Sequence, residues 1–147
     1  MTAIQALNVY CQYLGVKADD AEPDHEMTVT LELDEGLSVT LSAEGGQLIA
    51  FARLGQAPEN DVTLMEALLS ANLFWRGTAG ATLSLDPETR SVYMAQALPQ
   101  ACLADMALLN EAVEHFVALQ ETWANALPSL TIHSVPVGMG WHTARWA

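Results

Sequence analysis

The chain has 147 residues, 51% of them hydrophobic, and its 18 acidic against five basic residues give a net charge of −13. This hydrophobic fraction argues against a mainly disordered protein, and the length is enough to bury a core without disulfide or metal. The negative charge repels nucleic-acid phosphates and anionic lipid headgroups, so we expect neither nucleic acid nor membrane as a partner, but a neutral or basic protein.

The N-terminus and the cysteines indicate the compartment. Residues 1–5 lack the basic and apolar regions of a secretory signal, and no apolar run approaches the roughly 18 residues of a membrane span. Cys11 and Cys102 stand apart without metal-ligand spacing, which favours reduced, half-buried thiols. A bond between them stays open if their helices pack side by side. We therefore expect a cytoplasmic protein.

Apolar periodicity predicts one domain over residues 1–128, followed by a tail over residues 129–147 with no clear period. The tail either docks through its tryptophans, Trp141 and Trp146, or stays without fixed structure. The order of elements is α-β-β-β-α-β-β-α, which is typical of an α+β fold with helices flanking a twisted antiparallel sheet. The predicted elements are a helix over 2–15, strands over 27–33, 37–42 and 47–54, a helix over 62–75, strands over 81–85 and 90–97, and a helix over 101–127 that Pro128 ends.

The second predicted helix is apolar on two sides. A helix that is apolar nearly all round must be covered on both sides, and in a domain this small the second cover is predicted to be another copy of the chain. Thr63 and Glu66 have capping-box spacing at its start, with Asp61 as a rival cap. One stripe consists of Leu64, Ala67, Leu68, Ala71 and Trp75, and the other of Met65, Leu69 and Leu73.

The sequence contains no recognisable catalytic or metal-binding pattern. The segment 77–82, Gly-Thr-Ala-Gly-Ala-Thr, lacks the Gly-Lys-Ser/Thr ending of a phosphate loop and precedes a strand. Asp24, His25 and Glu26 are adjacent on an extended segment and point to alternate sides, and His115 lies on an acidic helix face. We therefore expect no enzymatic activity, no cofactor and no metal.

The segment 68–89, Leu-Leu-Ser-Ala-Asn-Leu-Phe-Trp-Arg-Gly-Thr-Ala-Gly-Ala-Thr-Leu-Ser-Leu-Asp-Pro-Glu-Thr, resembles the central signature of class I type III secretion chaperones, the Tir-chaperone (CesT-like) family. In that family a helix ending in Asn-Leu-Phe leads through a Gly-Thr-x-Gly turn to a strand and an Asp-Pro turn. The resemblance implies a homodimeric, ATP-independent chaperone in the cytoplasm of a Gram-negative bacterium. It would bind the N-terminal segment of a secreted effector, keep it soluble and present it to the secretion apparatus, with the secretion ATPase as a further partner.

The resemblance also implies two sets of interaction residues. Relatives dimerise through the second helix and the adjoining strand, and they hold the client on the first helix and the sheet, partly by adding a strand at a sheet edge. Plain core packing is the alternative for each sheet residue, and isolated surface exposure for the two helix residues. The dimer set is Leu64, Leu68, Leu69, Asn72 and Trp75, and the effector-binding set is Val9, Tyr13, Val29, Leu31, Ile49 and Phe51.

Two other functions remain open at this point. One is a regulatory interaction module on the same scaffold that sequesters a regulator and carries no effector. The other is a small enzyme with an acidic site that no motif reveals.

Overall fold

The computed structural model describes residues 1–16, 27–33 and 36–130. The predicted α+β class and the order of elements are confirmed. The tail from residue 131, the Asp24–Glu26 segment and the histidines at 133 and 142 lie outside the described residues. The elements are α1 (Ala3–Leu14), β1 (Met27–Glu32), β2 (Ser38–Glu44), β3 (Gln47–Gln56), α2 (Val62–Asn72), β4 (Thr82–Leu85), β5 (Ser91–Ala97) and α3 (Met106–Leu130), with short 3₁₀ turns over Leu73–Trp75 and Gln100–Leu103.

The strands form one five-stranded antiparallel sheet in the order β1-β2-β3-β5-β4. In β1, Met27, Val29 and Leu31 are buried while the residues between them are exposed, as the sequence alternation predicts. Gly45 and Gly46 form the predicted two-residue hairpin turn between β2 and β3, and both have left-handed backbone angles, with φ of 55° and 82°. The register of β2 and β3 is therefore set by a turn whose left-handed backbone angles glycine adopts without strain.

The chain divides into two compact units. The first contains Met1–Ala52 and Gln96–Val117, and within it α1 packs on β2. The second contains Arg53–Ala95 and the part of α3 from Ala118, and within it α2 packs on β4. The largest fully buried side chains include Leu7, Tyr10, Leu41 and Phe116 in the first unit and Leu64, Met94, Trp123 and Leu130 in the second.

The first two helices begin at side-chain caps. The Thr2 hydroxyl accepts a hydrogen bond from the Gln5 amide, and the Gln5 side chain accepts one from the Thr2 amide. At α2, the Asp61 carboxylate accepts from the Leu64 N–H at 2.9 Å. Of the two caps that the sequence left open, Asp61 is therefore the one used. The spacing of Thr63 and Glu66 has no such role.

Two predictions for the last helix are wrong. It begins at Met106 rather than near Ala101, because residues 100–103 form a separate 3₁₀ turn and the Asp105 carboxylate caps the next helix. It also continues through Pro128 to Leu130. Proline removes one amide donor, but burying the Leu130 side chain completely is worth roughly 1.5–3 kcal/mol and stabilises the last turn.

None of the helices in the described residues combines the length and the hydropathy needed to cross a bilayer. Within the same residues, no group of three or more histidine, cysteine, aspartate or glutamate side chains has a metal-binding arrangement.

Candidate interaction surfaces

The two apolar stripes of α2 have opposite environments. Leu64 and Leu68, on the first stripe, are buried inside the protomer. Leu69, on the second, is 71% exposed, and Leu73 is also exposed. Of these four residues, three were predicted to contact a second copy, and only Leu69 presents its side chain to solvent. The exposed apolar surface continues to Val62 at the start of the helix.

Two aromatic side chains project at the C-terminal end of α2. Phe74 is 68% exposed and Trp75 is 55% exposed, and both have left-handed backbone angles, with φ of 53° and 55°. The Trp75 indole N–H donates a hydrogen bond to the Thr82 hydroxyl at 3.3 Å. Because the helix ends at Asn72, Trp75 does not continue the buried stripe on which helical periodicity placed it. Phe74 was not predicted as a site residue, although the Asn-Leu-Phe-Trp sequence before Gly77 contains the signal.

Asn72 joins the end of α2 to β4. Its side-chain amide donates to the Leu83 carbonyl and accepts from the Leu83 N–H, at 2.8 Å in both cases. The buried Thr78 hydroxyl closes the turn that follows by donating to the Ala81 carbonyl. Both polar groups of the Asn72 side chain are therefore engaged inside the protomer, although the residue was predicted for the dimer interface.

The first helix exposes both residues that were predicted to bind a client. Tyr13 is 63% exposed and Val9 is 40% exposed. The Tyr13 ring stacks on that of buried Tyr10, with the centroids 6.2 Å apart, and the Tyr10 hydroxyl donates to Asn110 at 3.0 Å. Burial, followed by the charge of Glu114, raises the Tyr10 pKa to about 12. Tyr13 thus rests on a fixed, neutral ring.

The predicted sheet residues divide between the two faces of the sheet. Val29 and Leu31 are buried, which is the core packing that the sequence left as the alternative. Ile49 and Phe51 are half-buried and alternate along β3 with buried Leu48 and Ala50. The accessible apolar side chains of the effector-binding set are therefore those of Val9, Tyr13, Ile49 and Phe51. All four belong to the first unit.

The ionisable groups of the described residues show no nucleophile activated by a base. Cys11 and Cys102 are unbonded and buried rather than half-buried. Burial raises the pKa of both thiols, which keeps them protonated and unreactive. His115 is exposed on α3, as predicted. What the described surface offers is apolar contact area, which suits binding to another polypeptide.

Comparison with known proteins gives one family and one fold. The model of the Tir chaperone protein (CesT) family matches residues 5–124. No curated protein sequence matches the chain. Among solved structures, a chain of the ExsC–ExsE complex is 20% identical with a TM-score of 0.64, covering 84% of this chain and 91% of that one. A chain of the HopA1–SchA chaperone–effector complex is 18% identical with a TM-score of 0.61, covering 83% and 92%. A chain of the heterodimeric ExoU–SpcU complex from the type III secretion system of Pseudomonas aeruginosa is 17% identical with a TM-score of 0.61, covering 84% and 96%.

Proposed function

The chain belongs to the Tir chaperone protein (CesT) family, and on that premise we propose that it is a homodimeric cytoplasmic chaperone for a type III secreted effector. It binds the N-terminal segment of the effector, keeps that segment soluble and extended, and presents it to the secretion apparatus, including the secretion ATPase. The observation that carries the proposal is that each unit exposes large apolar side chains, on a chain of this family.

The surface on α2 suits a second copy of the chain. Val62, Leu69 and Leu73 lie exposed along it, and Phe74 and Trp75 extend it beyond the helix end. Large aromatic side chains are enriched at the energetic centres of protein interfaces. Because the buried stripe of α2 already packs in the protomer, dimerisation covers the exposed stripe without rearranging the fold.

Exposed and half-buried apolar side chains on two elements of the first unit suit an extended client. Val9 and Tyr13 on α1, with Ile49 and Phe51 on β3, offer apolar contacts of roughly 1.5–3 kcal/mol for each client side chain that becomes fully buried. Part of this is offset by ordering a flexible segment. Within the described sheet, β1 pairs only with β2, so its outer edge has backbone groups available for an added client strand.

No catalytic role is part of this proposal. The family is one of chaperones, and the buried, protonated thiols and solvent-exposed His115 give no support to hydrolysis or group transfer.

The decisive experiment captures the tagged chain from its native bacterium grown under secretion-inducing conditions and identifies the bound protein by mass spectrometry. We expect a protein that is itself secreted, bound at two chaperone chains per client, whose secretion stops when the chaperone gene is deleted. Replacing both Val9 and Tyr13 with glutamate should reduce capture of that protein. A bound transcriptional regulator that never leaves the cell would instead support the sequestering module and contradict the chaperone proposal.

A further inference from the structure

An open groove of about 500 Å³ lies in the first unit. It is lined by the segment that follows β5 and by the first turns of α3. Leu98 and Cys102 are its buried apolar residues, and Leu108 contributes a side chain that is 41% exposed. Clefts of this volume accommodate small-molecule ligands, so the groove has room for a long side chain.

One carboxylate, that of Glu111, lines this groove. Glu111 is exposed, and no hydrogen bond or ion pair engages it within the described residues. The neighbouring acids differ, because Asp105 caps α3 and Glu114 accepts a hydrogen bond from the Asn110 amide at 3.2 Å. Glu111 is therefore the acidic group that remains available at the groove.

The negative charges of Asp105 and Glu111 act on Cys102, one of the buried apolar residues of the groove. The pKa of the Cys102 thiol is raised first by burial and then by the charges of Asp105 and Glu111. The groove thus combines apolar walls with a negative potential. A long basic side chain matches both properties, because its methylene stem packs on apolar groups while its charged head stays at the water boundary.

We propose that the groove binds an arginine or lysine side chain of a protein partner, with the stem against Leu98 and Leu108 and the cationic head at Glu111. Charge complementarity favours this occupant over an apolar or acidic one, since the whole chain carries a net charge of −13. The lining of the groove includes none of the residues assigned above to the dimer or client surfaces.

The test titrates the ¹⁵N-labelled full-length protein with the peptide acetyl-Leu-Ala-Arg-Ala-Leu-amide and follows backbone amide shifts by NMR. A second peptide carries citrulline, the neutral isostere, in place of arginine. We expect shifts centred on residues 96–102 and 108–115, and binding of the arginine peptide about two- to fivefold tighter than that of the citrulline peptide, the range of partly exposed ion pairs. Equal binding of the two peptides, or shifts centred elsewhere, would overturn the proposal.

Two variants separate this site from general attraction to an acidic protein. Glu111→Gln should abolish the difference between the peptides, whereas Glu121→Gln, the same charge change further along α3, should preserve it. Leu108→Ala should weaken the binding of both peptides to the same extent, because it removes part of the groove wall that contacts the methylene stem of arginine or citrulline. If Glu121→Gln lowers arginine-peptide binding as much as Glu111→Gln does, the attraction is diffuse and the groove is not the site.

Discussion

The side-chain amide of Asn72 pairs with both backbone groups of Leu83, with donor–acceptor distances of 2.8 Å in each direction. The amide thereby forms the two backbone hydrogen bonds of Leu83 that a neighbouring strand would otherwise form. It also fixes β4 to the C-terminal end of α2. The surface proposed for dimerisation extends beyond that helix end, onto Phe74 and Trp75. Asn72 therefore stabilises the frame of that surface rather than the contact itself.

We expect Asn72→Ala to lower the free energy of unfolding by about 1–3 kcal/mol, because it leaves a part-buried N–H and C=O of Leu83 unpaired. Asn72→Asp should also lower it, since a carboxylate can accept from the Leu83 N–H but cannot donate to the Leu83 carbonyl. Urea denaturation measures both. Asn125→Ala, at an exposed position on α3, is the control and should change stability by no more than about 0.5 kcal/mol. An Asn72→Ala effect as small as the control would contradict the bridging role.

Leu69→Glu should convert the protein to a monomer without unfolding it, because the side chain is largely exposed in the protomer and is proposed to be covered only by a second copy. Light scattering coupled to size exclusion should give the 15.8 kDa chain mass for this variant and twice that for the parent protein.

Two other variants complete the dimer test. Val9→Glu, on the proposed client surface, should remain dimeric. Leu64→Ala, at a buried position of the same helix as Leu69, should instead destabilise the fold by about 2–5 kcal/mol. A Leu69→Glu variant that stays dimeric would place the interface elsewhere.

Phe74→Gly should weaken dimerisation. The left-handed conformation of Phe74 costs a non-glycine residue about 1–3 kcal/mol, and glycine relieves this cost while removing an exposed aromatic contact. Ala79→Gly is the matched control: it relieves a similar left-handed conformation, with φ of 50°, without removing a large side chain. The dimer dissociation constant of Ala79→Gly should match that of the parent. Equal dissociation constants for Phe74→Gly and the parent would exclude Phe74 from the interface.

Stability should fall in alkali partly because of Tyr10. Its pKa is raised from the ordinary 10.0 to about 12 in the folded chain, so the unfolded chain loses the phenolic proton first. The contribution of the protonated Tyr10 phenol to the free energy of unfolding is therefore complete below pH 10 and is lost as the pH rises through about 12.

Tyr10→Phe isolates this contribution. At pH 8 it should cost roughly 1 kcal/mol, for the lost hydrogen bond to Asn110. Urea midpoints measured between pH 8 and 11 should then show a shallower alkaline decline for the variant than for the parent. Parallel declines would mean that Tyr10 titrates alike in the folded and unfolded chains.

The amino-acid sequence by itself determined the order of elements, the alternation of β1 and the pair of stripes on α2. These features follow from local periodicity, because a residue's direction in a helix or strand depends on its neighbours along the chain. The left-handed conformations of Gly45 and Gly46 also follow from local sequence, since a two-residue hairpin turn requires positive φ angles that glycine readily adopts. The resemblance over residues 68–89 was likewise readable without coordinates.

The tertiary structure decided which apolar residues are available to a partner. Leu64 and Leu69 have the same hydropathy on one helix, yet only Leu69 is exposed, because α2 turns the stripe of Leu64 towards the protein interior. It also decided that Asn72 bridges to Leu83, eleven residues away, and that burying Leu130 carries α3 past Pro128. Each of these outcomes depends on contacts between segments distant in sequence, whose free energy overrides local propensity and leaves no trace in local spacing.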